Sequence, residues 1–371
     1  MPRAQRYAAA IVARSPVVIP SRRAARLFAA ARSGAEEVLG VLEDAPVLAV
    51  DLGSGDSDLA VAPPAWLPCV VVGLAPAPTG APVAGVDVAI CVGEPDAAPT
   101  GWVGVDDPAA ELDRLSAAVA AMPQAAVVLA QVLRLNEHLD TGAALSIESL
   151  AYSTLQAGPG FASWLASRTR RRAAQGSEPQ PVVLVERQHD VLRLTLNRPD
   201  VRNAVSRRLR DELCEALALA GADPSVRAVE LRGAGPAFCS GGDLQEFGTL
   251  PDPASAHLAR TSRSPARMLA TVAGRVTAYV HGACVGAGIE LAAFAARVVA
   301  APDASFSLPE LGLGLIPGAG GTVSIPGRVG RHRTAWLALR GVALDADRAR
   351  RWGLVDEIAE AHPAASERSD G

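Results

Sequence analysis

From residue 182 onward the chain repeatedly switches its hydrophobic period between that of a strand and that of a helix, with short glycine-bearing connections between the runs. That alternation restricts the fold more than any other feature, because strand, helix, strand, helix order calls for a layered α/β unit and excludes a helical bundle. Residues 182–186 and 191–196 read as two strands around a polar turn at 188–190, and Asn197, Arg198 and Pro199 close the second strand. Leu209, Leu213, Ala216, Leu217 and Ala220 then lie on one face of a helix over 206–220. Residues 227–232 and 271–280 read as buried strands, and 286–297 as a further helix.

A chain of 371 residues suggests two domains. The polar run AQGSEPQP at 174–181, with Gly176, Pro179 and Pro181, separates two strongly patterned regions. The expected organisation is an amino-terminal α/β domain over 1–175, a linker at 176–182, a second domain over 183–360 and a disordered tail at 361–371. Within the first, 46–52, 69–74 and 86–92 read as short buried strands, and 131–172 has helical periodicity. The acid-x-Gly-x-Gly turn at 47–59 resembles the S-adenosylmethionine loop of methyltransferases. Ser57 stands where a third glycine is expected, however, and a lone glycine fingerprint is a weak signal.

A net charge of −4 and a pI near 5.9 give no basic face for nucleic acid. There is no lysine, so all 35 basic residues are arginine, and any phosphate contact must use a guanidinium, a backbone amide or a helix end. Arg168, Arg170, Arg171 and Arg172 read as a solvated helix end. Cys69, Cys91, Cys214, Cys239 and Cys284 show neither a CxxC pair nor histidines at zinc spacing, which fits a reducing, cytoplasmic setting without structural metal or disulfides. The uncharged stretch 59–86 carries six prolines and cannot be a membrane helix, so no membrane span is expected. Seven arginines and no acid within the first 35 residues match a transit-peptide composition, yet an alanine- and arginine-rich helix is the reading preferred here.

Four segments carry the chemistry: LNRPDVRNAV at 196–205, AFCSGGDL at 237–244, HGACVGAGIEL at 281–291 and FSLPELGLGLIPGAGGT at 306–322. The turn at 238–243 follows a buried strand, and its glycines can present backbone amides where side chains would block a ligand. Gly282, Gly286 and Gly288 surround a helix start, whose unsatisfied amides favour developing negative charge. In order and spacing these segments resemble the enoyl-CoA hydratases of the crotonase superfamily, and 334–358 resembles the helix pair that follows in those proteins. The resemblance implies a crotonase-like ββα superhelix acting on an acyl-CoA thioester, with CoA as part of the substrate and no other cofactor.

It further implies an oxyanion hole from the amides of Gly242 and Ala287. Glu290 and Glu310 would be the acid/base pair that adds water to an α,β-unsaturated thioester. Arg202 and Asn203 would lie along the CoA moiety, with Ser240, Gly241, Asp243 and Leu244 also on the substrate side. Asp243 has an alternative role in capping its own turn, Glu290 in capping its own helix, and Glu310 as a solvated loop residue. The superfamily includes isomerases, dehalogenases, thioester hydrolases and a cofactor-free oxygenase, and a non-catalytic CoA-thioester-binding subunit is a further alternative. The glutamate pair tilts the choice to hydration.

Several motifs are decoys. The run 312–318 misses the dinucleotide spacing by one residue, and GAGGT lacks the lysine of a phosphate loop. Cys239 and Cys284 read as small buried residues, and His281 and His332 as hydrogen-bonded structural ones. Phe247, Phe294 and Trp336 are placed in the core by default. In the resembling family further helices follow the GLV segment and cover the active site, whereas 13 residues follow Ile358. The cover is therefore expected from the amino-terminal half, read as a degenerate, inactive crotonase-like sister domain with lid-type helices at 131–172. The family's trimeric habit leads to the expectation of a trimer-based homo-oligomer.

Overall fold

The computed structural model describes residues 16, 18–33, 46–53, 62–78, 80, 84–94, 98–168 and 181–359. Most of the expected linker, the tail and the far part of the methyltransferase-like turn lie outside these residues, as does the start of the arginine-rich amino terminus.

The amino-terminal half is built on a five-stranded sheet. Its strands are β1 (Val18–Pro20), β2 (Val47–Asp51), β3 (Val70–Ala75), β4 (Val88–Val92) and β5 (Trp102–Val105), parallel throughout and adjacent in chain order. Nearly every residue of β2, β3 and β4 is buried, which explains their continuous apolar runs, since a parallel sheet is covered on both faces. Helix α1 (Ser21–Arg32) follows β1, so the alanine- and arginine-rich segment is helical where described. Neither β1 nor β5 stood out in the sequence: one is three residues long and the other four.

Four more helices follow among the described residues of this half: α2 (Pro108–Ala121), α3 (Pro123–Asn136), α4 (Thr141–Gln156) and α5 (Pro159–Ser167). Their starts are written in the sequence. Asp107 accepts from the amides of Ala109 and Ala110 and Asp140 from that of Ala143, while Pro108, Pro123 and Pro159 occupy the first turns, where no amide partner is lost.

The carboxy-terminal half opens with the hairpin β6 (Val183–Gln188) and β7 (Val191–Leu196), paired antiparallel. Helix α6 (Arg207–Ala222), capped by Ser206, leads to β8 (Ala228–Gly233), which lies parallel to β7. Residues 271–280 are not one strand. Ser264 and Pro265 start α8 (Pro265–Val272), just after α7 (Pro253–Ser262), and only β9 (Val276–Val280) is extended. The helix expected over 286–297 is likewise shorter, running as α9 (Ala287–Ala292) between β10 (Ala283–Val285) and β11 (Arg297–Ala300). Both differences arise in apolar runs, where periodicity does not separate a buried helix from a buried strand.

Beyond these lie β12 (Ser305–Ser307), α10 (Gly321–Val329), α11 (Arg331–Arg340), β13 (Leu344–Asp345), α12 (Ala346–Trp352) and β14 (Glu357–Ile358). The main sheet runs β14-β11-β9-β8-β7-β6, and a small sheet pairs β10 with β12 and β12 with β13.

The two halves share one continuous hydrophobic core, which reaches from Val47 through Leu129 and Tyr152 to Val355. Helix α11 is the main tether. The Arg331 guanidinium donates to the carbonyls of Ala84 and Val86, Arg333 donates to those of Trp102, Ala98 and Pro99, and Trp336 and Arg340 both donate to Glu111 of α2. Trp336 is therefore an interface core residue, in edge contact with Trp352. Among the described residues no single helix is long and apolar enough to cross a membrane.

Candidate active site

Three segments remote in sequence are stitched together by backbone hydrogen bonds. The strand-like run entering the 240–243 turn lies beside β10: Phe238 N donates to His281 O, Cys239 N to Ala283 O, and Val285 N to Cys239 O. On its other side β10 pairs with β12, and Gly286 N donates to Ser307 O. A short 3-10 turn, Glu310–Leu313, follows β12. This small sheet therefore brings Gly242, Ala287, Glu290 and Glu310 to the wall of one cavity of about 620 Å³.

The glycines are required by contact. Gly286 has φ +50°, and a Cβ there would stand 2.3 Å from Glu310 Oε1. A Cβ on Gly288 would stand 2.6 Å from Cys239 O, too close for the two segments to pair. Among the described residues the amides of Gly242 and Ala287 have no acceptor, whereas their neighbours Asp243 N and Glu290 N are bonded to Val205 O and Gly286 O. Two free donors on one cavity wall are the requirement for holding an oxyanion.

Glu290 is 2% exposed, and it does not cap its own helix. Its Oε2 accepts from the amides of Ala319 (2.7 Å) and Gly321 (2.9 Å), at the turn that starts α10. Glu310 is part-buried as a residue, but its Oε2 is buried and has no hydrogen-bond partner. Burial pushes the Glu310 carboxyl up to about 7. The Glu290 carboxyl is also held well above the ordinary carboxylate range, first by burial and then by the charges of Glu310 and Glu148.

Glu148 comes from α4 and was not found by sequence reasoning. It is 2% exposed and lines the same cavity. Oε1 accepts from Gly320 N (2.7 Å), and Oε2 accepts from Thr322 N (2.9 Å) and Thr322 Oγ1 (2.7 Å). Burial raises this carboxyl to about 7 as well. One helical turn on, Tyr152 lines the cavity with its ring against Gly318. Burial raises the Tyr152 phenol too. The only sequence signal for this pair was the i, i+4 spacing of Glu148 and Tyr152 on a helix that also carries several serines and threonines, which a sequence alone does not separate from ordinary surface placement.

Helices α4 and α5 lie over the cavity. Arg260 of α7 holds α4 by donating to Ser149 and Ser153 and to Gln156 Oε1 (3.1 Å), with its guanidinium 4.6 Å from the centre of the Tyr152 ring. On α5, Trp164 stacks on Phe161 and meets Phe247 edge-on at 6.0 Å. Phe247 lines the cavity rather than a closed core, whereas Phe294 and Trp336 do not line it. The Arg168 guanidinium lies over Trp164 and donates to Leu244 O, so at the end of α5 this arginine is engaged rather than free in solvent.

The remaining sequence-selected residues divide clearly. Ser240, Gly241, Asp243 and Leu244 line the cavity. Asp243 also orders its turn, accepting from Gln245 N (3.0 Å) and pairing with Arg198 (3.0 Å). Arg202 and Asn203 do not line it. Arg202 is exposed, and the fully buried Asn203 side chain is consumed by the loop, accepting from Arg198 N and donating to the carbonyls of Ala234 and Ala237. Both have positive φ, a conformation that Asn tolerates better than most residues. Cys239 and Cys284 are buried, and burial pushes the Cys239 thiol up to about 12, the direction that makes a thiol inert. His281 Nε2 lies 2.9 Å from Gly235 O, a structural contact.

The profile of the enoyl-CoA hydratase/isomerase family matches residues 186–367. The 2,3-dehydroadipyl-CoA hydratase of Escherichia coli is 36% identical over 182 residues, covering 47% of this chain and 68% of that protein. The chain belongs to the enoyl-CoA hydratase/isomerase family. Its fold class is accordingly α/β and crotonase-like in the carboxy-terminal half. The mevalonyl-coenzyme A hydratase of Beauveria bassiana is 38% identical over 190 residues, covering 49% of this chain and 65% of that protein. The 1,2-epoxyphenylacetyl-CoA isomerase of Escherichia coli is 36% identical over 175 residues, covering 46% and 66%. This family member thus spans about two thirds of the length of the curated relatives it matches, through its carboxy-terminal half.

Proposed function

We propose that the protein adds water across the double bond of an α,β-unsaturated acyl-CoA thioester. One observation carries this reading: two buried carboxylates, Glu290 and Glu310, face the same cavity as two unpartnered amides, those of Gly242 and Ala287. The amides would hold the thioester oxygen as charge moves onto it in the enolate, each contributing about 3 kcal/mol to lowering the barrier. The carboxylates would hold the water between them, one taking its proton and the other supplying a proton at the α-carbon. Crowding in a desolvated site disfavours ionising both, so one acid and one base coexist near neutral pH.

An isomerase reading has its own support. Glu290 Oε2 is committed to two amides while Glu310 Oε2 is free, and one mobile base suffices for a 1,3-proton shift. Oligomeric assembly, a cytoplasmic setting and a sister-domain origin for the amino-terminal half belong to the same proposal. The last is supported by β2 to β5 running parallel and in chain order, as β7, β8 and β9 do.

The test is loss of thioester enone absorbance with short unsaturated acyl-CoA substrates, for the wild type beside Glu290→Gln and Glu310→Gln. Hydration that falls at least 100-fold in both variants supports the pair. Double-bond migration without hydration supports the isomerase reading, and binding with neither reaction supports a CoA-thioester-binding subunit.

A further inference from the structure

Residues 319–322 form the turn that starts α10, and their four successive amides are divided between two carboxylates. Ala319 N and Gly321 N donate to Glu290, and Gly320 N and Thr322 N donate to Glu148. Glu290 belongs to the carboxy-terminal half and Glu148 to the amino-terminal half, so the turn is gripped from both sides. Asn136 of α3 backs the grip by donating to Thr322 Oγ1 (3.0 Å) and Thr322 O (3.2 Å). A carboxylate is not needed merely to cap a helix; a serine or an asparagine does so without burying a charge. Here a third carboxylate enters a cavity that already holds two.

We propose that Glu148 is a positioning residue of the active site, which shares the 319–322 amide row with Glu290 and thereby fixes where the Glu290 carboxyl points. The inference rests on the reading of Glu290 as one of the acid/base pair. Its consequence is that the amino-terminal half completes the active site chemically as well as covering it.

The charges around Glu148 are few. Arg260 of α7 favours its ionised form, and His257 of α7 lies 2.9 Å from the hydroxyl of the neighbouring Ser149. Glu290 of α9 and Glu310 of the 3-10 turn oppose it. Tyr152 shares its helix, Arg267 of α8 is exposed at the cavity rim, α5 carries no charged side chain, and Arg134 of α3 is turned to Asp87. Removing the Glu148 charge therefore lowers both Glu290 and Glu310, whereas losing an uncharged cap would leave them in place.

The experiment is a carbon-13 NMR titration of the glutamate carboxyls in the full chain, with Glu290 and Glu310 assigned by their glutamine variants, run for wild type, Glu148→Gln and Glu148→Asp. In E148Q both titrations are expected to fall by about one pH unit or more. The hydration kcat should fall at least 10-fold, with KM changed less. E148D should return the titrations toward wild type while restoring the rate only in part, because the shorter side chain keeps the charge and loses the reach. If E148Q does not fold, Thr322→Val gives the same direction of shift more weakly, since it removes a donor that favours ionised Glu148. Unmoved titrations in the folded variants overturn the proposal. A wild type that does not hydrate, with titrations that still shift, refutes the hydratase reading and leaves the positioning role standing.

Discussion

Replacing Glu310 by glutamine should make the protein more stable while stopping its reaction, and the gain should depend on pH. One oxygen of the Glu310 carboxyl is buried without a hydrogen-bond partner, and burial raises the group from 4.5 to about 7. A raised carboxyl means that the folded chain holds a proton the unfolded chain has released. Its contribution is thus most favourable below about 4.5, declines as pH rises toward 7, and is flat beyond. At 1.36 kcal/mol per pH unit, the ionised folded form above pH 7 is disfavoured by about 3 kcal/mol. Glutamine has no such proton, so the stability difference between E310Q and wild type should widen by about 2.5 kcal/mol between pH 5 and pH 8. Urea unfolding at those two pH values, followed by far-UV circular dichroism, measures it, and hydration of an enoyl thioester on the same samples measures the cost to function. An equal difference at both pH values would refute the argument, because it would mean that the carboxyl ionises in the folded protein as readily as in water.

Two further outcomes are expected. Arg134→Leu removes the nearest partner of buried Asp87, at 2.8 Å, and leaves it the Val71 amide and the Arg331 guanidinium at 3.7 Å, so it should cost about 2–3 kcal/mol in urea unfolding; a loss below 1 kcal/mol would show that Arg331 or water replaces the pair. All five cysteines are free and buried, with the Cys69 and Cys239 thiols pushed up to about 12 by burial, so the native protein should not react with an aromatic disulfide reagent at pH 8 and should expose five thiols in urea; rapid labelling of the native chain would contradict the packing around β10 and β3.

The local punctuation was legible in the sequence because each signal acts within a turn of its own residue. Glycines placed the turns at 240–242 and 286–288, and Asp107, Asp140 and Asp252 cap the starts of α2, α4 and α7, a local signal that the sequence reading did not use. The family resemblance of those glycine segments marked Gly242, Ala287, Glu290 and Glu310, and one cavity wall holds them all. Where the sequence offered only an apolar run, as at 271–280 and 287–300, it did not divide helix from strand, since burial on all sides erases the periodic contrast. Arg202 and Asn203 were placed beside the substrate on segment position alone, and the structure spends Asn203 on backbone groups of its own loop.

What the sequence by itself determined is the local chemistry: which glycine segments carry the family resemblance and which acids sit beside them. Only the tertiary structure decided what the amino-terminal half contributes. Glu148 lies 172 residues from Gly320 and 174 from Thr322, and no local pattern reports a hydrogen bond over that distance. The same holds for Trp336 and Arg340 on Glu111, and for Arg331 on the carbonyls of Ala84 and Val86. Such contacts exist only once the shared core has closed, and it is their burial, not their sequence position, that raises the carboxyls in the cavity.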